Sequence, residues 1–127
     1  MKTQKILYKI FTGLIVLVMA TNVINYFINS AMKPIFVHIG FPDWFRIELG
    51  IFKLLGVFAL AIPVVPPSIK ELAYFGFFLS FFSVMLAHYN AGDAAFYILF
   101  PLIMISILVV SYVTYHKVLL KKSLYNN

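Results

Sequence analysis

The chain has 127 residues, 63% of them hydrophobic and 11% charged, with no cysteine and a formal net charge of +6. A soluble domain this small cannot bury so much apolar surface, so lipid must be the solvent for most of it. The missing thiols exclude disulfides, thiolate metal sites and cysteine-based quinone reduction. The positive charge does not point to nucleic acid: Lys2, Lys5, Lys9, Lys117, Lys121 and Lys122 flank apolar runs at the two ends, with no basic face or aromatic platform.

The first apolar run extends from residue 6 to about 28, long enough to cross a ~30 Å hydrocarbon core. Lysines before an apolar stretch and the small-residue run Val18-Met19-Ala20 resemble a signal peptide, but apolar character continues past Ala20, so the segment reads as a retained span. The loop over 30–42 follows. The second span covers 43–62, with Asp43 as N-cap, Trp44 as interfacial anchor, and Pro63, Pro66 and Pro67 ending it. The third covers 68–89 and opens on Ser68-Ile69-Lys70-Glu71, a capping-box pattern. Asn90-Ala91-Gly92-Asp93 reads as a turn, with Asp93 capping a fourth span over 93–115 that contains Pro101. Residues 116–127 read as a cytoplasmic tail, frayed over Ser123-Leu124-Tyr125-Asn126-Asn127.

The expected architecture is therefore all-α, one integral membrane domain of four helices with short connections. An even number of spans puts both termini on one face together with Lys70. The opposite face has Lys33 and Arg46 balanced by Asp43 and Asp93. The positive-inside rule then makes both termini cytoplasmic, in a multi-pass protein of a bacterial inner membrane.

Against this background the intramembrane polar residues stand out. A charge at the centre of a membrane helix costs about 2.5–3.5 kcal/mol, yet the second span carries Glu48 and Lys53. Five residues apart, they sit roughly 140° around the helix from each other, poorly placed to pair, so each needs partners on neighbouring helices. For Lys53 the candidates are Asn22, Asn25, Ser80 and Ser83; for Glu48 they are His88 and Arg46. Asn22, Asn25 and Asn29 form one stripe on the first span. His88 ends the third span and Asp93 begins the fourth, with Tyr97 one turn on. All of these fall in the outer half, whereas the inner half reads as aromatic and aliphatic. Ala73, Gly76, Ser80, Ser83 and Ala87 repeat with spacing 3-4-3-4, a seam expected to pack against Gly50 and Gly56. His38 and His116 belong to no constellation in the sequence. No close ligand spacing marks a metal site, and no nucleophile–base pair, phosphate loop or zinc-protease motif is present.

Two stretches, ELGIFKLLGVFALAIP and KELAYFGFFLSFFSVMLAHYNAGD, resemble the DoxX-like family of small four-helix membrane proteins. The likeness runs through Glu48, Lys53, Gly56 and Pro63, then Lys70-Glu71, Tyr74, Gly76 and the His88…Gly92-Asp93 ending. The chain departs from the family pattern at Leu72, where many members have Trp, and at Ser80, where many have an acidic residue. Ser80 in place of a carboxylate counts against a proton-linked role there. The resemblance implies a subunit near quinone or redox chemistry rather than a self-sufficient enzyme, with quinone as the implied cofactor and redox subunits or further copies of the chain as partners. A quinone would then take hydrogen bonds from His88, protonated Glu48, Tyr97 or an asparagine.

Three uses of the polar residues follow. In the first, Glu48 and Lys53 form the electrostatic core of an outward site, with Asn22, Asn25 and His88 supplying hydrogen bonds, Asp93 orienting His88, and Arg46, Ser80 and Tyr97 secondary. In the second, the same groups only lock helices or dock a partner. In the third, the chain is a small transporter, which the one-sided polar distribution disfavours.

Overall fold

Backbone amides and carbonyls have no water to bond in lipid, so apolar runs of this length must satisfy them internally, as helices or closed barrels. A computed structural model describes residues 2–126, and all of its regular structure there is helical: α1 Lys2–Ile28, α2 Met32–His38, α3 Asp43–Ala61, α4 Pro67–Asn90 and α5 Ala95–Asn126. Three of these, α1, α4 and α5, are long and apolar enough to cross a membrane. Only 22%, 17% and 22% of their most apolar windows is buried inside the protein, so most of that surface is left for lipid. The 19-residue α3 differs in carrying Asp43, Arg46, Glu48 and Lys53.

The long helices contact one another in cyclic order, α1 against α3, α3 against α4, α4 against α5 and α5 back against α1. Neighbours run antiparallel. Residues 22 and 26 of α1 meet 53 and 46 of α3, and residue 12 of α1 meets 111 of α5. Ile15, Met19, Val57, Leu60, Phe77, Met104 and Leu108 fill the space between them.

The buried face of α3 runs Arg46, Gly50, Lys53, Val57 and Leu60, and that of α4 runs Lys70, Tyr74, Phe77 and Phe81. Both repeat at spacings of three and four, so each helix turns one narrow seam inward. On α4 the seam is aromatic. The small-residue stripe is not the packing face: Gly76 and Ser83 are exposed, and a Cβ at Gly76 would meet nothing within 4 Å. At Gly56, expected to receive that stripe, the Phe77 ring lies 2.6 Å from where a Cβ would be, and Gly50 receives Phe27 of α1 instead. A flat ring reaches across to a bare backbone and does the work assigned to small side chains.

Helix ends differ from the expectations as well. Asp43 and Ser68 do not cap: α3 and α4 follow Pro42 and Pro66, neither end has a side-chain cap bond, and Pro67 stands in the first turn of α4, where its lack of an N–H is harmless. The 30–42 connection contains α2. Helix α5 continues past 115 to Asn126 and passes through Pro101 without interruption, so the tail is helical over the described residues.

Two turns at one end of the molecule share one geometry. After α2, Phe41 N–H bonds Phe36 O and Gly40 N–H bonds Val37 O. After α4, Asp93 N–H bonds His88 O and Gly92 N–H bonds Tyr89 O. This is the Schellman pattern, and it needs a left-handed residue, supplied by Gly40 (φ +90°) and Gly92 (φ +75°). These turns set the positions of His38, His88 and Asp93.

Candidate functional site

Lys53 and Arg46 stand two helical turns apart on the inward seam of α3 and are 5% and 6% exposed. A buried cation needs acceptors. Lys53 Nζ donates to Asn22 Oδ1 at 2.9 Å and to the Tyr26 phenol oxygen at 2.8 Å. Arg46 donates through Nη1 to the backbone carbonyl of Tyr26 and through Nε to Asp43 Oδ1 at 2.9 Å. Tyr26 therefore receives both cations. Asn22 is among the partners the sequence offers for Lys53; Tyr26 is an additional one, four residues after Asn22 on the same face of α1.

The other expected members divide. Glu48 is half-buried and, among the described residues, makes no ion pair or hydrogen bond, with Lys53, His88 or Arg46. Asn25 and Asn29 are exposed, and neither side chain contacts Lys53. Ser80 is half-buried on α4 and does not reach Lys53 by a hydrogen bond.

A second polar group joins the end of α2 to the α4–α5 turn. Asp93 accepts from His88 Nδ1 at 2.6 Å through one oxygen and from His38 Nε2 at 2.7 Å through the other. His88 also stacks on Tyr97, with ring centroids 5.1 Å apart. Hydrogen bonds from His88 and then His38 hold the Asp93 carboxyl below its ordinary value of 3.8. His38 thus has a constellation after all. It was illegible because its partner lies 55 residues away in another connection. Among the described residues no group of three such side chains is placed to hold a metal ion.

Between α3 and α4 runs a groove of about 740 Å³. Phe45, Phe52, Leu72 and Leu79 wall it, Lys53 contributes to its lining, and Gly76, Ser80 and Ser83 line the α4 side. The small-residue stripe therefore faces an open groove that Lys53 also lines.

The end of the molecule that holds the N-terminus is more polar than expected. Thr12 Oγ1 and Ser111 Oγ share a hydrogen bond at 2.6 Å, and Tyr74 OH and Ser111 Oγ share another at 2.7 Å, all three residues buried. Lys70 Nζ donates to the carbonyls of Ala59, Leu60 and Ile62 at 2.8, 3.4 and 3.1 Å, closing the C-terminal end of α3. Glu71, expected in a capping box, instead accepts from Tyr112 OH at 3.0 Å. His116 Nε2 lies 2.5 Å from Glu71 Oε1, close but without the alignment of a hydrogen bond.

The sequence model of the DoxX-like family matches residues 10–111, about four-fifths of the chain. The chain belongs to the DoxX-like family. It is a small membrane protein, and its apolar helices are built for lipid contact. The DoxX-like segment contains the whole Asn22–Tyr26–Arg46–Lys53 latch, the His38–Asp93–His88 bridge and the Thr12–Ser111–Tyr74 network, and stops short of the lysines at both termini. Comparison with curated proteins and with solved structures gives no match.

Proposed function

We propose that this DoxX-like protein crosses the membrane four times, with α3 as its second span and both termini cytoplasmic, in a bacterial inner membrane. There it serves as an accessory subunit of a redox- or quinone-linked system, holding a quinone-class ring in the α3–α4 groove. The observation that carries the reading is the groove itself. Its volume of about 740 Å³ lies within the ordinary range of small-molecule pockets, its walls are apolar, and Lys53 is among its lining residues. Asn22 and Tyr26 take two of the three donors of Lys53, leaving one N–H for a ring carbonyl. Ser80 and Ser83 offer hydroxyls on the opposite wall. A quinone carries electrons with protons through the lipid phase; the residues named here hold and orient its ring. Glu48, His88 and Tyr97 lie outside the lining of this groove.

The test is thermal unfolding of the full chain in mild detergent, with and without a short-chain soluble quinone. Wild type is compared with Gly76→Leu, Lys53→Met and Glu48→Gln. Gly76→Leu fills the groove without touching the core. The reading expects a dose-dependent rise in the wild-type midpoint, absent in Gly76→Leu, whose own midpoint stays near wild type. No rise in wild type removes it.

A second reading has its own support in the Lys53–Asn22–Tyr26 contacts, which join α1 to α3. There the polar residues lock the bundle for assembly with a partner. It is favoured if quinone has no effect and Lys53→Met lowers the midpoint by itself.

A further inference from the structure

A second, larger cavity opens at the end of the molecule that carries both termini. It measures about 1240 Å³ and lies between the start of α1, the α3–α4 turn and the end of α5. Lys5 and Lys9 line it from α1, and Lys121 and Lys122 line it from α5. Among the described residues, no aspartate or glutamate lines it. Lys70 also reaches it, but its ammonium is committed to the carbonyls of Ala59, Leu60 and Ile62. The other four lysines are exposed and, among the described residues, have no hydrogen-bond or ion-pair partner. The rest of the lining is largely apolar, from Val64, Val65, Val118 and Leu119, with the phenols of Tyr8 and Tyr115.

Four free ammoniums around an apolar floor, at the end of helices that cross lipid, match one chemistry: a phosphate ester whose remainder is hydrocarbon. We propose that this cavity binds the headgroup of an anionic phospholipid from the adjacent leaflet. The phosphodiester sits among Lys5, Lys9, Lys121 and Lys122, and the glycerol and upper acyl chain lie on Val64, Val65 and Leu119. Basic pockets between helix ends are the usual site for such headgroups. The site differs from scattered interfacial lysines in its concavity and in drawing its charge from the two ends of the chain, which the α1–α5 contact brings together. Those four lysines lie outside residues 10–111, the segment that matches the family model. It is also independent of the quinone reading, which concerns a different groove.

The experiment is native mass spectrometry of the full chain in mild detergent. The chain is titrated in turn with phosphatidylglycerol, with phosphatidylcholine of the same acyl chains, and with glycerol phosphate. Two variants remove equal charge from the same end: Lys5→Gln/Lys121→Gln in the cavity, and Lys2→Gln/Lys117→Gln outside its lining. At roughly fivefold per lysine, the cavity pair should weaken phosphatidylglycerol binding about 25-fold, while the outer pair leaves it within about twofold of wild type. These lysines are exposed, so folding is not at issue. Equal losses in both variants would reduce the effect to general surface charge and overturn the site. Equal binding of phosphatidylcholine, or glycerol phosphate binding as tightly as the lipid, would overturn the lipid assignment. So would the absence of any adduct.

Discussion

Lys53 of α3 donates to the phenol of Tyr26 of α1 at 2.8 Å, a contact that joins the inward faces of the two helices. Tyr26 also accepts from Arg46 through its backbone carbonyl, a bond that no substitution of its side chain removes directly. Tyr26→Phe should therefore cost only about 0.5–2 kcal/mol, the range for a single hydrogen bond between membrane helices. Combining it with Asn22→Leu strips Lys53 of both acceptors and leaves a bare buried cation, at about 3–5 kcal/mol. Adding Lys53→Met to that pair should restore more than half of the loss. Reversible unfolding in mixed micelles measures all three, and a triple variant no better than the double one would refute the latch.

The glycines divide by what faces them. A Cβ at Gly56 meets the Phe77 ring at 2.6 Å, and Phe77 is only 3% exposed, so the ring has nowhere to go. Gly56→Ala should cost about 1–3 kcal/mol, with partial rescue by Phe77→Leu. A Cβ at Gly50 meets Phe27 at 2.7 Å, but Phe27 is 45% exposed and can swing outward, so Gly50→Ala should cost less. Gly76→Ala meets nothing and should be neutral or slightly stabilising through helix propensity. Thermal midpoints of the three single variants give the order directly.

The Asp93 bridge predicts a pH dependence with a definite sign. Its carboxyl is held below 3.8, so the folded state favours the ionised form. The stability this contributes is fully present above 3.8 and is lost as pH falls through the lower folded value. Between about pH 5 and pH 2 the wild-type midpoint should fall more steeply than that of Asp93→Asn. Parallel curves for the two proteins would show that the bridge does not contribute.

Lys70 closes the end of α3 by bonding three carbonyls, a role that methionine fills by volume but not by charge. Lys70→Met should destabilise by about 1–2 kcal/mol. It should also raise amide exchange in the last turn of α3 and the following residues, 58–65, while exchange around Tyr26 stays unchanged. Uniform acceleration across the chain would argue for a global effect instead.

How much of this was legible in the sequence depends on separation along the chain. Spans 6–28, 43–62 and 68–89 lie close to α1, α3 and α4, because hydropathy and proline mark such boundaries locally. The shared face of Arg46 and Lys53 follows from their seven-residue spacing, and Asn22 from its depth. The ring of Phe77 over Gly56 was not legible, since a small-residue stripe and an aromatic seam share one helix and hydropathy cannot say which turns inward. The Thr12–Ser111–Tyr74 network joins residues up to 99 apart, each innocuous in its own apolar run. Glu48 shows the opposite case: as the most conspicuous carboxylate in the sequence, it makes no polar contact among the described residues.

The same separations bear on the order in which the protein can be completed during synthesis, which runs from the N-terminus. The clamp of Tyr26 on Arg46 and Lys53 needs nothing beyond residue 53, so the first helical hairpin can lock while the rest is still being made. The hydrogen bond of Thr12 waits for Ser111, and the carboxylate that joins His38 to His88 waits for Asp93. Until those arrive, α1 and α3 hold a finished register with one open flank. A nascent chain halted between α3 and α4 should already resist protease within its first hairpin, and the closing contacts should then act as a seal on a half-built wall rather than as its foundation.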